Sequence, residues 1–415
     1  MTPDLVNSSA GLIFTLFYVV VLIFIPFALG GKFLKDWKKY VKAKFFAGEK
    51  YLVFEIKIPK NNTKSPVAME LVLNALYQGG KDYEFKKEYW SGEVRPWFSL
   101  EVCSIDGTVH FYIWTKTKFR ELIENQLYSQ YPDIEIQSMG ERDYTYNVPF
   151  DTNNYEYWGS EFKKKGASHL PIKTYTTYKL QDNPDDEFKI DPITPMMEFL
   201  GSLQKGEQVW IQICVRAHGK DKYNKEKSSY VDWVHEAQQD IKKLTKRDLK
   251  VDEKSNPGLF VLTKGEKLAV DAIEDNITKT PFDCGIRAVY IAKKDKFKKS
   301  TIGGIKNSFK QYNVTNLNSF EGVNEAEEGK WYHKLMGKAE HVAEYNKKRM
   351  YDLYRHRSFF YSEYAPYGYP FGTVPSVFSS EELATIYHFP GDVSKTPTLN
   401  RVTAKKAEAP SDLPI

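Results

Sequence analysis

An α+β fold behind one membrane-crossing helix is what this sequence predicts, and three observations carry the prediction. Residues 10–31, AGLIFTLFYVVVLIFIPFALGG, hold no charge. Residues 51–137 alternate between period-2 apolar runs, which signal strands, and one-sided runs at i, i+3, i+4, i+7, which signal helices. A similar order returns between 168 and 325. The expectation is therefore two ferredoxin-like (βαββαβ) bodies, the second with a helical insertion at 218–281, followed by a helical and irregular C-terminal region.

The apolar run is long enough to cross a bilayer core of about 30 Å as a helix, with Pro26 in its last turns. A cleaved signal peptide has positive charge before a shorter apolar core. Here the preceding residues 1–9 carry Asp4 and no Lys or Arg, while Lys32, Lys35, Lys38, Lys39, Lys42 and Lys44 follow within the basic segment 32–50. The positive-inside rule then places the N-terminus outside the cytoplasmic membrane, as a single-pass anchor, and the bulk of the chain in the cytoplasm. Those six lysines are also the candidate membrane-surface contact, each worth roughly 1 kcal/mol near anionic lipid, with a topology determinant alone as the plainer reading.

Between 51 and 140 the first body is spelled out in order. YLVFEIKIP is a strand with Leu52, Phe54, Ile56 and Ile58 on one face. Ser65-Pro66 starts a helix whose buried stripe is Met69, Val72, Leu73 and Leu76. WFSLEVCSIDGTVHFYIWT is a hairpin, since Asp106-Gly107 supplies the positive φ angles of a tight turn. FRELIENQLYSQY is the second helix and DIEIQ the closing strand. In the second body, 168–325, the expected elements are a strand at 171–180 (PIKTYTTYKL), a Pro-started helix at 191–203, strands at 209–217 and 285–292, and a helix at 300–312 weakened by Gly303 and Gly304. The aromatic-rich region 326–390 reads as helix to about Tyr361. A further helix, SEELATIYHF, is closed by a capping box of Ser379 and Glu382. The tail 391–415 is Pro-rich and reads as extended and mobile.

Composition narrows the function classes. The chain has 415 residues, which fits two or three domains, and its net charge of +5 is too mild to argue for nucleic acid unless the charge is clustered. Three isolated cysteines fit a reducing compartment and argue against a disulfide framework and a Cys-based zinc site. There is no GxxxxGK[ST], no HExxH and no GxSxG, and the histidines are scattered. No catalytic, cofactor-binding or metal-ligating residue is assigned. Two patches remain. Lys293, Lys294, Lys296, Lys298 and Lys299 crowd one loop and are a candidate nucleic-acid contact, with a solvated loop as the plainer reading. Arg349, Tyr354, Arg355, Arg357, Phe359, Phe360 and Tyr361 mix cations with rings. That composition suits a protein partner first, packing on the chain's own sheet second, and stacking of single-stranded bases third.

The run YHFPGDVSKTPTLNRVTAKKAEAPSDLP (387–414) resembles a segment of bacterial membrane proteins linked to type IV secretion and conjugation-like systems. In longer relatives a similar stretch leads into a hexameric DNA-translocase-type ATPase. EIKIPKNNTKSPVAMELVLNALYQ (55–78) resembles the start of the domain of unknown function in the same proteins. The resemblance covers nearly the whole chain and implies a non-enzymatic accessory subunit or scaffold whose translocase ATPase is a separate polypeptide. It carries over no active-site residue. The alternatives are a protein that guides nucleic acid through its basic loop and Arg/aromatic helix, and a membrane enzyme with an unrecognised site.

Overall fold

The computed structural model describes residues 3–59, 62, 64–79, 85–140, 142–180, 190–219, 222–224, 229–231, 233–245, 262–326, 339–365, 374–391 and 401–402. They form two compact units, one of 1–49 with 81–94 and one of 50–80 with 95–415. In the first unit, helix α1 (Pro3–Gly48) runs unbroken through Pro26, so the apolar span and the lysine segment are one rod. Its 46 residues make it about 69 Å long at 1.5 Å per residue. Against this rod lies a single π-helical turn, Lys87–Ser91, ended by Gly92 at φ 67°. Segment 81–94 thus groups with α1 rather than with the body expected over 51–140.

The second unit is built on a ten-stranded sheet. Its elements run β1 (Tyr51–Pro59), α2 (Pro66–Ala75), β2 (Trp97–Ile105), β3 (Thr108–Lys116), α3 (Arg120–Gln130), β4 (Glu135–Ser138), β5 (Tyr155–Lys164), α4 (Thr194–Gly201) and β6 (Glu207–Ala217). An insertion follows, with the hairpin β7 (Lys222–Asn224) and β8 (Ser229–Val231) and helices α5 (Trp233–Leu244) and α6 (Lys264–Ile277). The chain then continues as β9 (Pro281–Lys293), α7 (Lys299–Asn307), β10 (Phe320–Val323), α8 (Ala339–Arg355), β11 (Ser376–Ser379), α9 (Ser380–Ile386) and β12 (Arg401–Val402).

The strand order is β10-β5-β9-β6-β2-β3-β1-β12, with β4 also on β1 and β11 also on β9. Each described pairing is antiparallel except β1 with β12. Each half has the connectivity β-α-β-β-α-β, and the orders within the halves match: β4-β1-β3-β2 and β10-β5-β9-β6. The halves are not two separate sheets. They join where β2 pairs with β6, from Trp97 opposite Arg216 to Ile105 opposite Gln208. Both strands are buried on both faces, as central strands must be. The β2–β3 turn has Asp106 at φ 54° and Gly107 at φ 85°, the two positive angles the Asp-Gly pair was read for.

One face of the sheet is apolar. Phe54, Leu100, Phe111, Ile211 and Ile286 meet Met69 and Leu73 of α2, Ile123 and Leu127 of α3, Met196 and Leu200 of α4 and Ile305 of α7 in one core. Of the two glycines that weaken α7, Gly304 has a packing reason, since a Cβ there would collide with the Phe199 ring on α4, while Gly303 faces open space. The insertion helices have a small core of their own, Ala237, Ile241, Val270 and Ile273.

Two expected elements are corrected. The first strand of the second half is Tyr155–Lys164, and 171–180 is a chain of turns with Lys179 at φ 56°. The period-2 pattern of KTYTTYK is real, but its backbone bonds go elsewhere: Lys173 N–H donates to Tyr312 O, Tyr175 N–H to Thr385 of α9, and Tyr178 and Lys179 N–H to the turn itself, while the preceding Ile172 N–H donates to Glu382. The C-terminal helix stops at Arg355, not Tyr361, because Arg357 turns left-handed at φ 50°. The tail 391–415 lies outside the described residues apart from Gly391 and Arg401–Val402, which pair with Ile58 and Pro59.

The capping box at α9 does more than close a helix. Glu382 accepts from Ser379 N–H and also receives Lys164 Nζ at 2.7 Å, both side chains fully buried. Burial pulls the Lys164 ammonium below its ordinary value even with Glu382 opposing. Lys164→Met strands the Glu382 charge in the interior and is expected to cost about 3–5 kcal/mol. Combining it with Glu382→Gln, which removes the charge but keeps an acceptor for the Ser379 and Ile172 N–H groups, should recover part of the loss, and urea unfolding of the two variants in detergent measures it.

Candidate functional site

The opposite face of the sheet carries a row of polar side chains set abreast. Glu161 on β5 faces Arg287 on β9, Arg287 faces Gln212 on β6, and Gln212 faces Glu101 on β2. The row continues through Tyr112 on β3 to Glu55 on β1. Side chains link along it: Arg287 Nη2 to Glu161 Oε1 at 3.1 Å, Arg287 Nη1 to Gln212 Oε1 at 3.2 Å, and Gln212 Nε2 to Glu101 Oε1 at 3.0 Å. The alternation that sends Leu100, Val102, Ile211 and Ile213 to the apolar core sends these residues to this face.

The row is sealed by the C-terminal end of α8. Ser358 N–H reaches back to Leu353 O and Arg357 N–H to Tyr354 O, a helix stop that normally has glycine at the left-handed position. Arginine there costs roughly 1–2 kcal/mol of backbone strain. Its side chain offsets the cost with a two-pronged grip on Glu101, Nε to Oε1 at 2.9 Å and Nη2 to Oε2 at 3.1 Å, and a third bond to Asp143 Oδ2 at 2.5 Å. Burial alone would lower the Arg357 guanidinium, but Glu101 and Asp143 hold it well above its ordinary value. Tyr144 donates to Glu101 at 2.7 Å and shares a bond with Tyr354 at 2.8 Å, and burial pushes both phenols far up. Only Arg287 Nε lacks a partner among the row's described nitrogens. A dry, paired network of this kind orients chain segments and offers a solute no open reactive group.

The residues singled out by sequence fall into three sets. Tyr354, Arg357, Phe359 and Tyr361 are buried in the chain's own fold, so self-packing replaces partner contact for these four. Phe359 lies so close over Gly285 that a Cβ there would enter its ring, and Tyr361 donates to Arg95 O. Phe360 and Arg355 are half-buried, Arg216 stacking on the first and Arg355 itself covering Tyr146. Arg349 is half-buried on α8. The loop lysines Lys293, Lys294, Lys296, Lys298 and Lys299 are all exposed, with Lys298 near Glu207 at 3.4 Å and Lys296 near Asp295 at 3.9 Å. On α1, Lys32, Lys35, Lys39 and Lys44 are exposed, Lys42 is half-buried, and Lys38 pairs with Glu88 at 2.6 Å.

Sequence patterns do not point to an open cavity of about 340 Å³, walled by the 171–177 turns, the end of α6 and Glu381. Thr174, Thr176, Thr177 and Thr278 line it with hydroxyls, and Thr176 donates to Glu381. Lys279 sits between Glu70 at 3.1 Å and Glu381 at 3.4 Å. Burial lowers the Lys279 ammonium, but the two carboxylates outweigh it and raise the net value. Tyr175 OH donates to Glu70 at 2.5 Å. The wall can bind a polar solute through hydroxyls, and the Thr176 hydroxyl on Glu381 is a hydroxyl–carboxylate pair within it. Among the described residues no three His, Cys, Asp or Glu side chains converge as a metal site. All three thiols are buried, which pushes Cys214 up to about 12 and Cys103 and Cys284 higher still. The cavity escaped sequence reading because its wall is the stretch misread as a strand and its floor is the insertion.

A family model for a domain of unknown function, DUF8128, matches residues 43–399. The chain belongs to this family. DUF8128 thus begins near the end of α1, takes in the π-helical turn and the whole described sheet apart from β12, and leaves the apolar span outside its limits. No curated protein matches the chain.

Arg357→Ala leaves Glu101 and Asp143 buried without their cation and is expected to cost about 3–5 kcal/mol in urea unfolding. Acid should act through Asp191 and Asp283. Burial raises both carboxyls, but His388 on one side and His218, Arg216 and Arg95 on the other bring them below the ordinary 3.8. A depressed carboxylate contributes fully above its unfolded value, and the contribution disappears as pH falls through the folded one. Unfolding midpoints should therefore drop below about pH 4, and Asp191→Asn should make that acid slope shallower.

Proposed function

We propose that this DUF8128 protein is a membrane-tethered accessory scaffold, non-enzymatic, that works beside a separate translocase ATPase in a type IV secretion or conjugation-like apparatus. The observation that carries the reading is the continuity of α1. One helix takes an uncharged span long and apolar enough to cross a membrane directly into a lysine segment. Lys32, Lys35, Lys38, Lys39 and Lys42 fall within an arc of about 120° at 100° per residue, a charged stripe suited to the cytoplasmic leaflet. With the N-terminus outside, everything beyond Lys32 is cytoplasmic.

The repeated strand order supports reading the sheet as two ferredoxin-like units fused edge to edge, a platform rather than a reaction vessel. The secretion link rests on the resemblance of 55–78 and 387–414. The latter motif is anchored at its start, where Tyr387, His388 and Phe389 are buried, and Arg401–Val402 add to the end of β1. A partner reaching this motif would meet the chain beside β1. The five exposed lysines of 293–299 favour a second reading, a guide for nucleic acid, whose binding would weaken steeply as salt rises.

The reading predicts that a cysteine placed at Lys294 resists a membrane-impermeant maleimide in intact cells and reacts once the inner membrane is opened. Labelling in intact cells would contradict the orientation. Detergent purification of the full chain from its native membranes should bring a translocase-type ATPase with it; stoichiometric purification without one would contradict the partnership.

A further inference from the structure

The π-helical turn docked on α1 has no role in the sheet. It is fixed by its own contacts: Trp37 Nε1 donates to Tyr89 O at 2.8 Å, Lys38 Nζ meets Glu88 Oε1 at 2.6 Å, and the same ammonium lies 4.4 Å from the centre of the Tyr89 ring. Gly92 closes the turn at φ 67°, and a Cβ there would run into the backbone carbonyl of Val41, which does not yield. These contacts hold the turn at one level of the rod, yet its largest side chains face outward. Phe85 is 69% exposed and Trp90 67%. Phe85 packs against Tyr89 and Trp90 with ring centres 4.7 and 5.4 Å apart.

On α1 at the same level, Phe33, Trp37 and Tyr40 are exposed at 63%, 39% and 58%, with ring centres 6.1 and 5.7 Å apart. Single exposed rings need no explanation, but five exposed rings in two stacked groups, joined by the Trp37 bond to Tyr89, do. The cluster continues directly from the apolar span. Trp37 lies six residues past Gly31, about 9 Å along the axis. The headgroup layer beyond the hydrocarbon core is about 5–8 Å deep on each side, and at the usual helix tilt of about 20° Trp37 stands about 8.5 Å past Gly31 along the normal, at the outer edge of that layer. Tyr and Trp are enriched at that level, where a ring can sit in the apolar boundary while its polar edge stays wet. The lysine stripe flanks the same stretch and suits anionic headgroups.

We propose that residues 85–92 form a second membrane contact, a collar that seats Phe85, Tyr89 and Trp90 in the headgroup layer of an anionic bilayer beside the exit of α1. The proposal rests on α1 being the membrane anchor. A collar of this kind restrains the tilt and rotation of the rod, which a lone helix leaves free.

The test uses the full chain in nanodiscs of phosphatidylglycerol and phosphatidylcholine, with a single NBD fluorophore on a cysteine at Trp90 or Phe24. The buried native thiols stay unlabelled. Lipid carrying a shallow doxyl group should quench the label at 90, and a deep doxyl group should quench the label at 24. Gly92→Val should abolish quenching at 90 and leave that at 24 unchanged. If 24 is quenched while 90 answers only to aqueous iodide, the collar is wrong and the anchor stands. If 90 is shielded from both quenchers, a protein surface covers it and the collar is again wrong. If neither 24 nor 90 is quenched by lipid, the anchor and the collar fall together. Quenching at 90 that survives Gly92→Val contradicts the docking that positions it.

Discussion

Four polar side chains abreast on four strands, Glu161, Arg287, Gln212 and Glu101, set how the two halves of the sheet meet. They lie on the only face where they can be paired, because the other face is a continuous apolar core. A slip of one residue between β2 and β6 would exchange the faces, burying Glu101 among leucines and turning Leu100 towards Arg357. Both errors cost several kcal/mol, so register is fixed at the seam rather than at the edges. The seam is also the centre of the repeat. β2 and β6 hold the same place in their halves, and Glu101 faces Gln212 at the midpoint of their pairing. The neighbours correspond outward, Tyr112 to Arg287 and Glu55 to Glu161, yet only one half carries the arginine.

That asymmetry explains the C-terminal region. The row is short of a cation beside Glu101, and Arg357 enters from outside the repeat to supply it, at the cost of a left-handed backbone angle. With Arg357 pinned, Tyr354, Phe359 and Tyr361 close over the face, and Trp97 adds a bond from its indole nitrogen to Arg357 O. A second buried pair, Lys164 with Glu382, ties α9 to the end of β5. From Tyr354 to Tyr361 the C-terminal region is thus the cover of the sheet's second face.

Much of this was legible in the residues. Leu52, Phe54, Ile56 and Ile58 alternate because one face of β1 is core. Asp106-Gly107 reads as a tight turn because few pairs tolerate both angles. Ser379 and Glu382 read as a helix start because the box is local. The failures were all non-local. KTYTTYK alternates like a strand, but its backbone N–H groups go to Tyr312, to Thr385 of α9 two hundred residues away, and to its own turns. The Arg and aromatic residues of 349–361 have the same composition whether they face a partner or the chain's own sheet, and the deciding fact is the polar row they cover. That row was in view as Ser, Glu and Cys at alternate positions of WFSLEVCSI, a pattern that marks a polar second face without saying what seals it. Segment 81–94 sits between two elements of the sheet in sequence and joins α1 in space.

The central claim is that the seam makes the two halves one cooperative body on which the C-terminal cover depends. Native-state hydrogen exchange of the full chain in detergent, followed over rising denaturant, tests it directly. Amides of β3 in the first half and β9 in the second should converge on the same opening free energy, with those of Leu353 to Ser358 joining them at the same denaturant concentration. Opening of β9 and β5 at distinctly lower denaturant, while β1 and β3 stay protected, would show two independently stable halves and contradict it.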